Sequence, residues 1–369
     1  MRRGLTAIGL TGALAAGQAL GAMPRPDHLV IVVEENHSFD NILGAGSPAT
    51  YIKSLAVAGA NFTQSYGIER PSQPNYLDFF SGSNQGITSN DFPPYQPFST
   101  PNLGAQLRSA GLSFAGYSQG LPSVGSNVEF NGDYKRKHNP WANWQSASPG
   151  VNQLPLTVNQ PWTNFPSSYA QLPTVSFIVP DQQYDMHDGS IETGDAWLQA
   201  NVNGYYQWAR THNSMLIVTW DEDDFTPENH IPTIFLGPMI KPGTYSQTIN
   251  HFSVLRTIED LYGLGHIGAA VNATTISNAF HLLPGDVNDD AMINSGDFAT
   301  LASHFNSSGQ SWTSGDFTGD GIVNALDFNA LAKNYGTSLP PSLGAAVPEP
   351  ALAWVWLFAA VGIIRRFRS

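Results

Sequence analysis

The sequence of 369 residues contains no cysteine, which excludes disulfide bonds and any chemistry that depends on a thiolate. Lysine and arginine are also scarce, with 16 of them against 29 aspartate and glutamate residues, so the net charge is −13. The basic residues are scattered except at the two termini. Because a polyanionic backbone attracts clusters of basic side chains, this distribution argues against nucleic acid as a binding partner.

Enough apolar surface is present for a sizeable core, because 41% of the residues are hydrophobic and 11% are aromatic. The 35 glycines and 26 prolines imply many loops. The length exceeds what one small core needs, so we expect one large domain with appended modules.

The N-terminus has the pattern of a secretory signal peptide. Arg2 and Arg3 precede a small and apolar stretch from Leu5 to Ala22, and prolines follow at positions 24 and 26. Charge, apolar centre and small residues come in the order that export requires. Residues 1–22 are therefore predicted to be a signal peptide that directs the chain out of the cytoplasm.

A second targeting pattern lies at the C-terminus, after a predicted linker at residues 337–346. Val347-Pro348-Glu349-Pro350 precedes an apolar stretch at 351–364 and a terminal Arg-Arg-Phe-Arg-Ser. This tail, 347–369, resembles the PEP-CTERM sorting signal of exported bacterial proteins, which implies recognition by a sorting protease in the membrane. The apolar stretch is short for a permanent span. The expected location is the cell envelope or the extracellular space, with transient anchoring in the membrane by this tail.

An internal duplication occupies residues 285–336. Each copy places oxygen-bearing side chains at positions 1, 3, 5 and 12 of a loop, the spacing that wraps a calcium ion. The first set is Asp286, Asn288, Asp290 and Asp297, and the second is Asp316, Thr318, Asp320 and Asp327.

The pair resembles a type I dockerin, which implies two bound Ca²⁺ ions, a small all-α module and a cohesin-like partner. It departs from that pattern at Ala291, where the first loop lacks a glycine for its sharp turn, and at Thr318, a weaker ligand than Asn288. Docking to a cohesin and service as a calcium-stiffened spacer are equally open.

The remaining block, residues 27–283, has the pattern of an α/β fold. Short apolar runs at 28–33, 174–179, 215–220 and 233–236 are predicted strands, and the longer segments between them can supply crossover helices. A mostly parallel sheet with helices on both faces follows. The stretch from 84 to 166 shows little periodicity and is predicted to form loops that shape the substrate site.

Acidic and amide side chains follow three of these strands. Glu35 and Asn36 come after the first, Asp185 and His187 after the second, and Asp221 with Glu222 after the third. Ligand-binding groups gather beyond the carboxyl ends of strands in such sheets. Because carboxylates without basic partners repel one another, a divalent cation is expected among them.

A candidate nucleophile, Ser72, stands before a helix-like run at 76–80. Backbone N–H groups and the dipole at a helix N-terminus favour a phosphate, so nucleophilic attack and anion binding can share one place. An N-capping role for this serine is the alternative.

Five motifs together resemble the bacterial phosphoesterase family of acid phosphatases and phospholipases C, within the alkaline phosphatase-like superfamily. They are Glu-Asn-His-Ser-Phe-Asp-Asn at 35–41, Pro-Ser-Gln-Pro-Asn-Tyr at 71–76, Asp-Met-His-Asp-Gly at 185–189, Trp-Asp-Glu at 220–222 and His-Phe-Ser-Val-Leu-Arg-Thr-Ile-Glu-Asp at 251–260. The resemblance implies a divalent metal on Glu35, Asn36, Asp221 and Glu222. It implies Ser72 as nucleophile, with Asp185, His187 and His251 completing the phosphate site on a second metal or on phosphoryl oxygens.

These assignments predict an exported metal-dependent phosphoesterase. Ser72 would attack phosphorus, Asn75 and helix N–H groups would hold phosphoryl oxygens, and His187 would protonate the leaving oxygen. Phosphomonoesters and phospholipid headgroup esters both remain open as substrates, as does the identity of the metal. The alternative is a noncatalytic surface protein that binds phosphate or polymer and assembles through its dockerin-like module.

Overall fold

The computed structural model describes residues 23–339. The predicted signal peptide, the predicted sorting signal and most of the predicted linker lie outside these residues. Within 23–339, no helix combines the length and the apolar character that a membrane crossing requires.

The described chain alternates strands and helices, as the sequence predicts. The strands are β1 His28–Glu34, β2 Ala60–Phe62, β3 Ser65–Tyr66, β4 Phe114–Ser118, β5 Phe130–Asn131, β6 Tyr134–Lys135, β7 Gln145–Ser146, β8 Leu154–Pro155, β9 Asn159–Pro161, β10 Val175–Val179, β11 Ser214–Trp220, β12 Thr233–Leu236, β13 Gly243–Tyr245 and β14 Ile249–Asn250. The α-helices are α1 Phe39–Leu43, α2 Thr50–Ala58, α3 Ser72–Ser81, α4 Leu103–Ser109, α5 Ile191–Asn201, α6 Asn203–Ala209, α7 His251–Tyr262, α8 Ser295–Ser303 and α9 Ala325–Asn334.

Eight of these strands form one large sheet in the order β13-β2-β12-β11-β1-β10-β4-β9. Its centre is parallel, since β1 pairs in parallel with both β10 and β11, and β10 pairs in parallel with β4. In this sheet, as far as the described residues show it, only β12 runs antiparallel to its two neighbours. The prediction of a mostly parallel sheet is therefore confirmed, and the four predicted strands coincide with β1, β10, β11 and β12.

Strand β1 shows how the sheet separates two layers of core. Leu29, Ile31 and Val33 belong to a hydrophobic cluster with α3 and α7, whereas Val30 and Val32 belong to a second cluster with α2, α5 and α6. Burial on both faces explains why this strand is a continuous apolar run. The same alternation directs Glu35 toward the face that α3 covers.

Two strands of the sheet, β4 and β9, lie in the stretch that we predicted to form loops that shape the substrate site. β4 occupies residues 114–118, and the low periodicity of the surrounding sequence conceals it. Its Gly116 is required by close packing, because a Cβ at this position would lie 2.0 Å from the indole of Trp141. The small residues that permit this contact also weaken the β-rich pattern by which strands are recognised.

The duplicated segment forms the predicted small helical module. α8 and α9 each begin with a capping box, at Asn294 and Asn324, and the module has its own hydrophobic cluster. It packs against the larger domain through Trp312, whose indole stacks on the His281 ring at 4.4 Å between centroids. His281 also contacts Asp289 of the first loop at 2.9 Å.

A buried carboxyl group in α7 makes stability depend on pH. Glu259 is fully buried, and one of its oxygens has no hydrogen-bond partner among the described residues. Burial raises the pKa of Glu259 to about 7, above the 4.5 expected in the unfolded chain. The protonated form is therefore favoured by the fold, and stability falls as pH rises from about 4.5 to 7.

We expect Glu259→Gln to remove this dependence and to raise the free energy of unfolding at pH 8 by at most roughly 3 kcal/mol, with little change at pH 4. Urea unfolding at the two pH values measures the effect. The exposed Glu228→Gln serves as control. An equal gain at both pH values would contradict the linkage to Glu259 ionisation.

Candidate active site

The carboxyl ends of β1, β10 and β11 bring the predicted acidic residues together. The backbone N–H of Glu35 donates to the carbonyl of Asp185 at 2.8 Å, and that of Asp221 donates to the carbonyl of Glu34 at 3.0 Å. The N–H of Asn36 points at Asp221 Oδ1, 3.3 Å away. Three loops that are far apart in sequence thus converge at one edge of the sheet.

Ser72 is the first residue of α3 and lies among these acids. Its Oγ donates toward Glu35 Oε2 at 3.1 Å and lies 3.4 Å from Glu222 Oε1. The side chain is 1% exposed. Pro71, and not Ser72, occupies the N-cap position, and the Ser72 hydroxyl is directed at the carboxylates.

A second set of ligand atoms adjoins the first. His138 Nε2 lies 3.1 Å from Glu35 Oε1, and its Nδ1 lies 3.2 Å from Asp185 Oδ2. One ligand atom from each of these three buried residues lies within 4.8 Å of the others. Tyr76 donates its hydroxyl to Glu35 Oε1 at 2.6 Å and fixes that carboxylate.

Burial at this edge strongly disfavours the charged carboxylates. It raises the pKa of Glu35, Asp185 and Asp221 well above the usual range, and neighbouring acids raise them further. Burial likewise raises the pKa of Glu222 to about 8. A cation is the partner that would reverse these shifts.

The donor atoms fit such a cation. Asn36 Oδ1, Asp185 Oδ2 and Asp221 Oδ2 are buried without a hydrogen-bond partner among the described residues. Asn36 adopts a left-handed backbone with φ of 51°, which asparagine tolerates better than most residues. Carboxylate and amide oxygens suit Mg²⁺, Ca²⁺ or Mn²⁺, and the imidazole of His138 extends the choice to Zn²⁺ or Fe.

Two predicted residues, Asn75 and His251, make contacts that differ from those their predicted roles require. Asn75 accepts from the N–H groups of Ile68 and Glu69, and its Nδ2 donates to the Glu69 carbonyl and lies 3.4 Å from Glu222. It therefore fixes a turn and orients an acid. The helix N–H of Gln73 is occupied by Asn90 at 3.0 Å, so it does not face a phosphate.

The Nε2 atom of His251 is occupied by a backbone contact and does not point at the acidic side chains. That atom lies 2.7 Å from the backbone carbonyl of Asp221, and the ring stacks on Phe79. Burial lowers the pKa of His251 to about 4, so the ring is neutral and Nε2 carries the proton that the carbonyl accepts. This arrangement fits a role for His251 in positioning Asp221 better than it fits the predicted role as a metal ligand.

His187 lies at the entrance of the site and not among the buried acids. Its Nε2 lies 3.1 Å from Lys137 Nζ, and its Nδ1 lies 2.7 Å from the carboxylate of Asp188. Its backbone N–H donates to Asp185 Oδ1 at 2.8 Å. Burial, followed by the charge of Lys137, lowers the pKa of His187.

Sequence reasoning missed Tyr76, Lys137 and His138. The last two follow Lys135 and Arg136, and this basic run contradicts our description of the basic residues as scattered outside the termini. A positive run in so acidic a chain was the available signal for a counterpart to the acidic strand ends. The close position of Tyr76, one turn after Ser72 on α3, also follows from the periodicity of a helix.

The two loops of the helical module differ as their sequences predict. In the second loop, carboxylate oxygens of Asp316, Asp320 and Asp327 lie within 4.8 Å of one another, and burial raises the pKa of Asp316 to about 6. In the first loop Ala291 has a φ of 66°, where the second has Gly321 at 79°. The donor sets fit Ca²⁺, and the missing glycine strains the first loop.

Comparison with known proteins first defines the class. The fold resembles a crystal structure of a protein in the alkaline phosphatase superfamily from Vibrio parahaemolyticus, with a TM-score of 0.50, 14% identity, and 69% of this chain and 71% of that one covered. The predicted alkaline phosphatase-like fold is confirmed. The family model and the relatives below define a hydrolase that acts on phosphoric ester bonds.

The family follows from the sequence. A model of the Phosphoesterase family matches residues 45–265, and a model of the dockerin type I domain matches 284–335. The chain is 47% identical over 264 residues to phosphatidylinositol-3-phosphatase of Mycobacterium tuberculosis, covering 71% of this chain and 85% of that protein. It is 28% identical over 236 residues to an acid phosphatase of Aspergillus fumigatus, covering 59% and 51% respectively. The chain belongs to the phosphoesterase family and carries a C-terminal dockerin type I domain.

Tyr76→Phe tests the support given to Glu35. Loss of the hydroxyl removes the donor that orients this carboxylate, and we expect metal affinity to fall about 10- to 100-fold. The fold should persist, because the ring still stacks on His138. Titration against a metal-buffering chelator measures the change. Tyr205→Phe, which removes a buried hydroxyl bonded to the Met215 carbonyl, is the control. Equal affinities in the two variants would disprove the role of Tyr76.

Ala291→Gly tests the strain in the first loop of the module. A left-handed conformation costs a non-glycine residue roughly 1–2 kcal/mol. The free energy of unfolding of the variant in excess calcium should therefore be about 1 kcal/mol higher. Calorimetric unfolding of the chain measures this. The reciprocal Gly321→Ala should destabilise, also because its Cβ would lie 3.1 Å from Thr211 Cγ2. A loss of stability in Ala291→Gly would show that the loop is not strained.

Proposed function

We propose that this protein is an exported, metal-dependent phosphomonoesterase with Ser72 as its nucleophile. The observation that carries the proposal is the position of Ser72 Oγ, buried at a helix N-terminus and 3.1 Å from Glu35. A solvent-exposed serine hydroxyl is a weak nucleophile. A serine hydroxyl beside groups that hold a metal ion is a stronger one.

The metal would be held by Glu35, Asn36, Asp221 and Glu222, and Asp185 with His138 provides a neighbouring position that shares Glu35. When bound, a divalent cation lowers the pKa of a coordinated hydroxyl and offsets charge on phosphoryl oxygens. The unpartnered oxygens of Asn36 and Asp221 support this assignment.

Ser72 Oγ forms the new bond to phosphorus while the bond from phosphorus to the ester oxygen breaks. The serine proton passes to Glu35, to which the hydroxyl already donates at 3.1 Å, and Glu222 is a second acceptor at 3.4 Å. The product of this step is a phosphoserine and a free alcohol. Attack by water on the phosphoserine then releases phosphate and restores the serine hydroxyl.

Lys137 and His187 supply the positive charge and the proton at the entrance. The charge of Lys137 lowers the pKa of Glu35 against the effect of burial, and at Glu222 the charge of Arg70, followed by that of Lys137, acts in the same direction. Lys137 suits the binding of phosphoryl oxygens. His187, with its pKa lowered by burial, donates a proton to the leaving oxygen most readily at acidic pH.

Relatives favour a phosphomonoester over a phosphodiester. Relatives that point this way are named phosphatidylinositol-3-phosphatase, acid phosphatase, probable acid phosphatase and phosphate-repressible acid phosphatase. We therefore place lipid and soluble phosphomonoesters first, and a phospholipase C activity second. The same names support hydrolysis over the noncatalytic alternative.

The proposal extends to the ends and the module of the chain. The proposal includes export by the signal peptide and sorting of the tail by a membrane protease. It also includes calcium binding by both loops and a cohesin-like partner. A dockerin type I domain supports calcium and a cohesin-like partner. The targeting signals rest on their sequence patterns alone.

Hydrolysis of p-nitrophenyl phosphate by the metal-supplemented chain tests the central claim. We expect Ser72→Ala to lower kcat by at least about a thousandfold, since the residual rate comes only from binding and charge stabilisation. Ser81→Ala, a buried serine at the other end of α3, should retain activity.

The outcome also separates the alternatives. A preference for p-nitrophenyl phosphorylcholine would move the assignment to phospholipase C. Folded, metal-loaded protein that cleaves neither compound would support the binding-protein alternative. Full activity in Ser72→Ala would eliminate this serine as the nucleophile.

A further inference from the structure

Four exposed aromatic side chains of the larger domain lie on three loops whose contacts lead back to the residues around Ser72. Within residues 27–283, the exposed phenylalanine and tyrosine side chains are Phe92 at 41%, Tyr95 at 77%, Phe130 at 65% and Phe225 at 73%. We call these four the aromatic rim. Exposed rings cost solvation free energy, so their common position calls for an explanation.

Two members of the rim lie on loops fixed to the residues beside the nucleophile. The loop that leads into Phe92 is held by Gln73, whose Nε2 donates to the carbonyls of Ser89 and Asp91 at 2.8 Å. Phe225 lies under the guanidinium of Arg70, at 5.6 Å from its ring centroid. Arg70 and Gln73 flank Ser72 closely in sequence, so both rings lie near the mouth of the site.

Arg136 joins the other two members to the same mouth. This guanidinium is 2% exposed and donates to Asn127 at 2.7 Å and to Gln96 at 2.8 Å. Gln96 follows Tyr95, and Asn127 precedes the hairpin that carries Phe130. The next residue along the chain, Lys137, contacts His187 of the site. A buried arginine thus holds two exposed loops at the entrance.

A cation accompanies three of the four rings. Arg70 lies over Phe225, Lys135 over Phe130 at 5.5 Å, and Arg136 over Phe92 at 4.5 Å. Every cation–π pair in residues 23–339 therefore involves a rim ring. Two of these cations, those of Arg70 and Lys135, are partly exposed. Arg70 is also ion-paired with the buried carboxylate of Asp223, so its charge is largely balanced within the protein.

We propose that the aromatic rim is a docking surface for a lipid bilayer, which places the active site against phosphate-bearing headgroups. The inference rests on the proposed phosphomonoesterase function and assigns it a substrate presented in a membrane. Aromatic rings are favourable at the boundary between headgroups and acyl chains, where one side of the ring is apolar and the other is polar. Lys135 lies beside Phe130 with a partly exposed ammonium group that can contact a lipid phosphate, whereas Arg70, beside Phe225, already pairs with Asp223.

Charge on the hairpin indicates which force dominates. Glu129 and Asp133 are exposed close to Lys135, so the rim carries little net positive charge. Apolar insertion must then supply most of the affinity, with the cations selecting phosphate. We therefore expect binding to neutral as well as to anionic vesicles, with only a weak dependence on salt.

Vesicle flotation with residues 23–339 tests the proposal. This segment contains the complete sheet and all three hydrophobic clusters, and it omits the apolar stretch at 351–364, which would itself enter a membrane. The probes are vesicles of phosphatidylcholine alone and with a minor fraction of phosphatidic acid. Binding is measured in the Ser72→Ala background, so that no lipid is consumed.

The double change Tyr95→Ser and Phe130→Ser should lower vesicle partitioning by about tenfold or more, since two inserted rings are lost. Turnover of p-nitrophenyl phosphate with Ser72 present should stay within about twofold, because neither ring touches the acidic cluster. Tyr95→Phe with Phe130→Leu should restore binding. Val57→Ser, which removes an 82% exposed side chain on α2, is the control.

Unchanged partitioning in the Ser variant, or equal loss in the Val57 control, would overturn the docking surface. Failure of the unmodified segment to cleave any phosphate ester would instead refute the proposed function, while the flotation result would still stand by itself. The Ser variant could also lose affinity for p-nitrophenyl phosphate to the same extent as for vesicles. That result would show that the rim shapes the active site and does not dock lipid, and it would overturn the inference.

Discussion

Three adjacent parallel strands hold buried carboxyl groups at one edge of the sheet. The mutual repulsion of these groups, away from solvent, is the constraint that the surrounding structure must satisfy. Burial alone would favour their neutral forms, as the raised pKa values of Glu35, Asp185 and Asp221 indicate. Hydrogen bonds from Tyr76 and from backbone N–H groups offset part of this cost. The remaining oxygens without partners are what make the place suitable for a cation.

The parallel sheet explains why such a costly cluster can be maintained. β1 has neighbours on both sides, and its backbone groups are satisfied by β10 and β11 along their whole common length. Apolar layers on both faces stabilise these strands, so their ends can carry groups that destabilise the fold. The arrangement separates the region that supplies stability from the edge that supplies chemistry.

Strand positions and the acids that follow them were predictable because both depend on local sequence. Four buried runs identified β1, β10, β11 and β12 within a residue or two, and parallel pairing then placed Glu35, Asp185 and Asp221 together. β4 was missed because Gly116 and the serine at its end dilute the pattern. The role of His138 was not predictable from spacing, since its contacts with Glu35 and Asp185 depend on how a long irregular segment folds over the sheet.

Helix α3 connects the core to the site, and its periodicity accounts for both. Ser72 and Tyr76 are four residues apart and both face Glu35, while Phe79 and Phe80 face the aromatic core around Phe177. His251 stacks on Phe79 and holds the Asp221 carbonyl, so α7 orients a strand end through the same helix. Because these contacts share one rigid element, displacement of α3 would move the serine, the tyrosine and the packing of His251 together. The order of the site therefore depends on the order of the core beneath it. A change in packing at Phe79 would displace Ser72 and lower the rate of the reaction without altering any of the acidic residues.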